Sequence, residues 1–142
     1  MKRKKTGFYL LIALMVVTMF SGVTAFASND DIEYSFYIQP NQGISVDENG
    51  PRYRQTSSRD NEWKVRMTIT GEGYDTITQF RINRNSDQIP ASDWISVKHG
   101  AGYYYDQPYS VANQTNVRLA GRNNNVNAST YVVCGQWDEE IW

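Results

Sequence analysis

The feature that most constrains the fold of this chain is a two-residue alternation of apolar and polar side chains. In the stretch WKVRMTIT, residues 63–70, every second position is apolar: Trp63, Val65, Met67 and Ile69. Such alternation is typical of a β-strand with one buried and one solvated face, and it does not fit the 3.6-residue repeat of an amphipathic helix. We therefore expect the intervening residues, which begin at Lys64, to face water.

The composition after residue 27 favours strands along the whole chain. Only one leucine and one methionine occur there, whereas valine, isoleucine, threonine and tyrosine are frequent. β-branched and aromatic side chains suit a pleated, half-buried surface, and asparagine, serine and glycine suit the turns between strands. The sequence therefore predicts an all-β domain, either a single antiparallel β-sandwich or a flattened barrel.

Further strands are predicted wherever the alternation recurs between turn residues. They lie in EYSFYIQP (33–40), RYRQTS (52–57), TITQFRIN (76–83), DWISVKHG (93–100), NVRLAG (116–121) and STYVVCGQW (129–137). The links GEGYD (71–75) and NNN (123–125) are interpreted as hairpin turns, and YSVANQT (109–115) as a possible helical turn.

The last predicted strand carries apolar atoms on both faces, which indicates an inner strand. Tyr131, Val133 and Trp137 share one face, and Val132 and Cys134 share the other. The acids that follow, Asp138, Glu139 and Glu140, are interpreted as a solvated end. The basic cluster Arg52, Arg54 and Arg59 is interpreted in the same way, as solvated charges.

The N-terminus has the pattern of a secretory signal peptide. Four basic residues, Lys2–Lys5, precede a short apolar stretch, residues 7–20, and an A-x-A pattern ends at Ala27. The apolar stretch is shorter than the about 20 residues of a membrane-spanning helix. We predict a cleaved signal helix over residues 1–27, export by the Sec machinery, cleavage by signal peptidase, and a secreted extracellular domain over residues 28–142. No stable membrane anchor is expected after cleavage.

The charge of the predicted mature chain constrains its partners. Residues 28–142 carry 10 of the 14 lysines and arginines and all 15 acids, a net charge of −5. Such a surplus of acid disfavours nucleic acids and anionic membrane surfaces, because both repel it at long range, although a local basic patch remains compatible with it. We expect no nucleic-acid partner.

The residue types that enzymes use are scarce. His99 and Cys134 are the only histidine and cysteine, and neither lies in a nucleophile or zinc-binding motif. Cys134 cannot form an internal disulfide, so it is either a buried thiol or a link between two chains. The sequence therefore predicts no catalytic residue, no cofactor and no metal site. A hydrolase with a carboxylate pair stays open as a less favoured alternative.

Aromatic residues give the remaining functional signal. All four tryptophans and nine of the ten tyrosines follow residue 27. The candidate contacts to a ligand or partner are Trp94, Tyr103, Tyr104 and Tyr105. Rings with a polar tip favour interfaces and wet grooves, and they also fill ordinary sandwich cores.

Several stretches resemble an uncharacterised family of small exported proteins from Gram-positive bacteria, catalogued as a domain of unknown function. They are RYRQT at Arg52, WKV at Trp63, ANQTNV at Ala112, NNN at Asn123, and the segment from Thr130 to Glu140. This resemblance implies no catalytic residue. A weaker architectural resemblance, to lactococcin-like bacteriocins, rests on predicted export, small size and aromatic-rich strands.

These observations favour a secreted, non-enzymatic protein that binds a cell-surface component or a protein partner. The absence of a catalytic set and the surplus of aromatic rings support this prediction. The alternatives are a bacteriocin-like secreted toxin and, less favoured, the carboxylate-dependent hydrolase.

Overall fold

The computed structural model describes residues 30–142, which form nine β-strands and two short 3₁₀ turns. The strands are β1 (Ile32–Ile38), β2 (Ser45–Val46), β3 (Arg52–Arg54), β4 (Trp63–Thr70), β5 (Ile77–Arg84), β6 (Ile95–Lys98), β7 (Tyr104–Asp106), β8 (Thr115–Asn123) and β9 (Tyr131–Asp138). The turns are Pro40–Gln42 and Ser110–Ala112. The predicted signal peptide, residues 1–27, lies outside the described residues. Within the described part of the chain, no helix has the length and apolarity to cross a bilayer.

The strands form two antiparallel sheets. Sheet A has the order β1-β9-β4-β7, and sheet B has the order β2-β8-β5-β6, with β3 also paired to β8. Within residues 30–142 no strand of one sheet pairs with a strand of the other, so the fold is a two-sheet sandwich. β9 lies between β1 and β4, which confirms the prediction of an inner strand.

The core lies between the sheets and is built by the inward-facing side chains of both. Trp63 and Trp137 are fully buried. Tyr34 packs against Phe36 and Phe80 with ring centroids 5.5 Å apart in each case. Tilted aromatic pairs at this spacing contribute about 1 kcal/mol each beyond the area they bury. β1 of sheet A thereby packs against β5 of sheet B through aromatic rings, without any backbone pairing between the two strands.

Two links predicted as hairpins connect different sheets instead. Residues 71–76 lead from β4 in sheet A to β5 in sheet B, and residues 124–130 lead from β8 in sheet B to β9 in sheet A. Asn123 is buried and organises the second link, since its Oδ1 accepts from the Asn125 amide at 2.8 Å and its Nδ2 donates to Asn127 Oδ1 at 2.9 Å. Turn residues were correctly identified, but they do not encode which sheet the chain enters next.

A β-bulge at Thr68 interrupts the alternation of β4. The pairing with β9 shifts between Met67 and Ile69, so Ile69 lies opposite Cys134 and is 57% exposed. The expectation that Ile69 belongs to the buried face is therefore wrong, because a bulge inserts one residue and moves the following side chain to the other face.

Gly135 is required where β9 passes this bulge. A Cβ atom at Gly135 would lie 1.9 Å from the Arg66 carbonyl oxygen and 2.8 Å from the Tyr34 hydroxyl. That hydroxyl donates to the same carbonyl at 3.1 Å. The Arg66 carbonyl of β4 and the Tyr34 hydroxyl of β1 thus meet directly over Gly135 of β9, the strand that lies between β1 and β4.

We predict that Gly135→Ala lowers the free energy of unfolding by about 3 kcal/mol, because a methyl group forces β4 away from β9. The matched control is Gly71→Ala, whose added methyl would meet its neighbours at ordinary distances of 3.4–3.6 Å. Urea unfolding of both variants checks the prediction. Equal stabilities of the two variants would contradict it.

Candidate functional site

A groove crosses the outer face of sheet A. It has a volume of about 400 Å³. Its side-chain lining comes from β1, β4, β9 and the loop after β2, and includes Glu33, Ser35, Asn49, Arg66, Thr68, Ile69, Cys134 and Gln136. Most of these groups are polar, because they occupy the outward positions of strands whose inward positions form the core. The groove therefore offers hydrogen-bond donors and acceptors over a solvent-facing surface.

Asn49, which lines one wall of the groove, is held in place by the buried carboxylate of Asp47. Asp47 is only 1% exposed, and its Oδ1 accepts from the Asn49 amide at 3.2 Å. The Asn49 side chain in turn donates to the Glu33 carbonyl at 3.2 Å, which holds the loop against the free edge of β1. Burial raises the pKa of Asp47, while this amide, the Trp137 indole and the Arg118 charge act in the opposite direction.

Tyr103 lies beside the groove, in contact with two residues of its lining, Gln136 and Arg66. Its hydroxyl donates to Gln136 Oε1 at 3.2 Å, and Arg66 Nε donates to the same oxygen at 3.0 Å. The Arg66 guanidinium and the Lys64 ammonium lie 4.6 and 4.7 Å from the centre of the Tyr103 ring, within the range of cation–π attraction. Burial, together with the nearby Asp31 carboxylate, raises the pKa of Tyr103 to about 12, so its hydroxyl keeps its proton.

The structure brings together two of the four predicted aromatic contacts. The rings of Tyr103 and Tyr105 lie side by side with centroids 6.4 Å apart, and Tyr105 is half exposed. Tyr104 points the other way, packs against the core and accepts a hydrogen bond from the Lys98 amide at 3.4 Å. This split follows from the strand alternation of β7.

Trp94 lies on the other sheet. It precedes β6, whose Ile95 pairs with Phe80 and packs against the core, so Trp94 faces outward from sheet B. The guanidinium groups of Arg81 and Arg122 lie 4.3 and 4.4 Å from the centre of its ring. Trp94 therefore does not share a surface with Tyr103 and Tyr105.

The interpretation of the C-terminal acids as solvated is wrong. Asp138, Glu139 and Glu140 are 0%, 6% and 1% exposed. The Glu140 carboxylate accepts from the backbone amides of Gln55 and Thr56 at 3.0 and 3.1 Å. These acids lie against the strand and loop that follow β2, and they fix the chain after β9.

Arg54 is buried at the centre of this arrangement. Its guanidinium donates to the backbone carbonyls of Glu139, Ser58 and Asn61. The Asn61 side chain accepts from the Ile141 amide at 2.8 Å. Arg54, Asn61, Glu139 and Glu140 are called the C-terminal clasp below. Burial lowers the pKa of Arg54 and raises that of Glu139.

The other predicted solvated charges divide into two groups. Arg59 is exposed, as expected, and donates to the Pro108 carbonyl at 3.0 Å. Arg52 is partly buried between Glu139 at 3.1 Å and Asp30 at 3.4 Å. Lys64 is buried, contrary to expectation, because it pairs with Asp31 at 2.7 Å and lies under the Tyr103 ring.

Cys134 and His99 engage different partners. Cys134 is half buried in the groove, and its thiol donates to the Ser35 hydroxyl at 3.3 Å. His99 Nε2 donates to the Thr68 carbonyl at 2.9 Å, beside the exposed ring of Tyr74. Among residues 30–142, no group of three or more histidine, cysteine or acidic side chains is arranged to hold a metal ion.

The comparisons with known proteins assign a family without a function. Residues 22–141 match the family described as "Protein of unknown function (DUF2712)". The chain belongs to this family. No curated protein and no solved structure matches it. The predicted resemblance to a domain of unknown function is therefore confirmed, and the DUF2712 region includes the groove, the clasp and both sheets.

The groove of this DUF2712 domain is not evident from the sequence alone. Its polar residues, such as Glu33, Arg66 and Gln136, were visible as outward positions of separate strands. The signal that was lacking is the strand order, because β1, β4 and β9 are far apart in sequence and become neighbours only in the sheet.

We predict that Arg54→Met lowers the free energy of unfolding by about 3 kcal/mol, because three backbone carbonyl groups, in two buried hydrogen bonds and one partly buried one, lose their donor. The chain end after β9 should also become a substrate for carboxypeptidase. Urea unfolding and timed digestion measure both effects. The control is Arg84→Met, which removes an exposed pair with Asp87 and should change little. A resistant chain end in Arg54→Met would contradict the role of the clasp.

A second prediction concerns pH. Because the pKa of Asp47 is raised, its contribution to stability is fully present at low pH and is lost as pH rises through the raised pKa. Asp47→Asn cannot ionise, so its free energy of unfolding relative to the native chain should rise between about pH 3 and about pH 7. Urea unfolding at several pH values measures this difference, and a constant or falling difference would contradict the prediction.

Proposed function

We propose that this DUF2712 protein is an exported, non-enzymatic binding protein that acts at the cell surface, and that the outer face of sheet A is its binding face. The observation that carries the proposal is the polar groove together with Tyr103, which contacts its lining residue Gln136, and the neighbouring half-exposed Tyr105. The signal-peptide pattern of residues 1–27 supports export, and the resemblance to exported Gram-positive proteins supports that setting.

The chemistry of the groove suits a ligand rich in hydroxyl and amide groups. Ser35, Asn49, Thr68 and Gln136 provide neutral donors and acceptors. Glu33 and Arg66 carry opposite charges, so the lining has no strong preference for an ion of either sign. A volume of about 400 Å³ lies within the range of small-ligand sites.

Tyr105 supplies the apolar part of such a site. A half-exposed tyrosine ring offers a flat apolar face and a polar tip, which is the combination that favours wet interfaces. Its neighbour Tyr103 is held rigidly by Gln136 and two cations. A cell-surface carbohydrate, with apolar ring faces and hydroxyl edges, is the ligand class that this arrangement favours.

The placement of the acids favours binding over carboxylate-dependent hydrolysis. Among residues 30–142, Glu33 is the one carboxylate in the lining of the groove. The Glu140 carboxylate is bonded to backbone amides in the clasp, and Glu139 bonds Arg52. Glycoside hydrolysis commonly uses two carboxylates that flank one bond, and the groove lining supplies one.

We predict that Tyr105→Ala weakens binding to purified Gram-positive cell-wall polysaccharide, freed of phosphate, by about fivefold or more, since truncating an aromatic anchor commonly costs over about 1 kcal/mol. Sedimentation of the folded 28–142 chain with the polymer measures this. The matched control is Tyr53→Ala, which removes a half-exposed tyrosine of sheet B and should leave binding unchanged.

Two outcomes would contradict the proposal. One is binding that is equal in Tyr105→Ala and the native chain. The other is no binding to the polymer, combined with growth arrest or membrane depolarisation of indicator strains, which would favour the bacteriocin-like alternative.

A further inference from the structure

The outer face of sheet B concentrates positive charge in an acidic protein. The outward positions of its two long strands, β5 and β8, include Arg81, Arg118 and Arg122, and none of these positions holds an aspartate or glutamate. Residues 28–142 carry a net charge of −5. This face therefore differs in sign from the protein as a whole.

Some cations of this face are compensated within the described chain. Lys98 pairs with Asp75 at 2.7 Å, and the charge of Arg118 acts on the buried Asp47. Arg81 and Arg122 form no salt bridge within residues 30–142. Arg122 Nε donates to the neutral Gln79 side chain at 2.7 Å, and Arg81 Nε is buried without an acceptor. Two positive charges on one sheet face thus lack an anionic partner.

Trp94 holds these two charges together. Both guanidinium groups lie against its ring, at 4.3 and 4.4 Å from the centroid. Burial and the neighbouring Arg122 charge both lower the pKa of Arg81, in agreement with mutual repulsion of the two groups. A guanidinium that is stacked on an aromatic ring keeps N–H donors at its edge for a planar or tetrahedral oxyanion.

We propose that Arg81 and Arg122, arranged on Trp94, form a binding site for the phosphate groups of an anionic ligand. A phosphate relieves the repulsion between the two cations and accepts hydrogen bonds from the N–H groups at the accessible edges of their guanidinium groups. Guanidinium groups bind phosphate through paired, charge-assisted hydrogen bonds. The site lies on the opposite face of the sandwich from the groove of sheet A, so it is independent of the proposed carbohydrate site.

The experiment measures binding of long-chain polyphosphate to the folded 28–142 chain over a series of salt concentrations. We expect Arg81→Gln and Arg122→Gln each to weaken binding by about tenfold or more. The slope of log K against log salt concentration should decrease in magnitude by about one for each arginine removed. The matched control is Arg84→Gln, whose charge is already paired with Asp87 and whose loss should change little.

Further binding measurements identify the source of the phosphate and test the selectivity of the site. Circular dichroism and thermal unfolding verify that each variant is folded. Binding to phosphatidylglycerol vesicles that requires the same two arginines would support the site and identify a lipid headgroup as the source. Polyglutamate bound as tightly as polyphosphate would overturn the proposal, because general charge attraction would then suffice. Polyphosphate binding that is absent, or unchanged in the double variant, would also overturn it.

Discussion

The close approach of β4 to β9 at Gly135 is the constraint on which the rest of the structure depends. The Arg66 carbonyl lies where any larger residue would place its Cβ atom, and the core hydroxyl of Tyr34 donates to that carbonyl. Three strands that are distant in sequence are thereby joined at one point in the middle of sheet A. The bulge lies next to this contact, between Met67 and Ile69, and it turns Ile69 outward into the groove.

The last strand of a folded domain is prone to fraying unless it is tied down, and β9, the last strand of the described residues, is an inner strand of sheet A. The clasp holds the segment after β9 in place with polar groups rather than apolar ones. Arg54 satisfies the Glu139 carbonyl of the C-terminal segment and the Asn61 carbonyl of the loop after β3, and Glu140 satisfies two amides of that loop. Each buried charge is hydrogen-bonded, which limits the cost of its removal from water. The groove of sheet A keeps its shape because β9 is fixed at its last residues.

The alternation of side chains located most strands closely. The predicted WKVRMTIT strand is β4, and the predictions in TITQFRIN and STYVVCGQW agree with β5 and β9 to within a few residues. This success has a physical basis, because each strand of a sandwich buries one face whatever its partners are. The turn residues were also found, since glycine and asparagine adopt turn conformations independently of the tertiary fold.

Most of the errors arose from contacts between distant parts of the chain. The links at residues 71–76 and 124–130 have turn composition, but only the packing of both sheets decides that they cross between them. Glu140 and Arg54 were interpreted as solvated because each bonds a backbone group 85 residues away in sequence, Glu140 the Gln55 amide and Arg54 the Glu139 carbonyl. The candidate aromatic residues were named as one set, whereas the pleat separates Tyr104 from its neighbours and the sheet order places Trp94 on the opposite face.

The proposed function depends on the groove beside Tyr103 and Tyr105 being the binding face. The most direct measurement is a nuclear magnetic resonance titration of the labelled 28–142 chain with phosphate-free cell-wall polysaccharide. We expect the resonances of Arg66, Tyr105 and Gln136 to shift together with a single affinity, while those around Trp94 stay unchanged. Shifts confined to sheet B, or no shifts at saturating polymer, would contradict it.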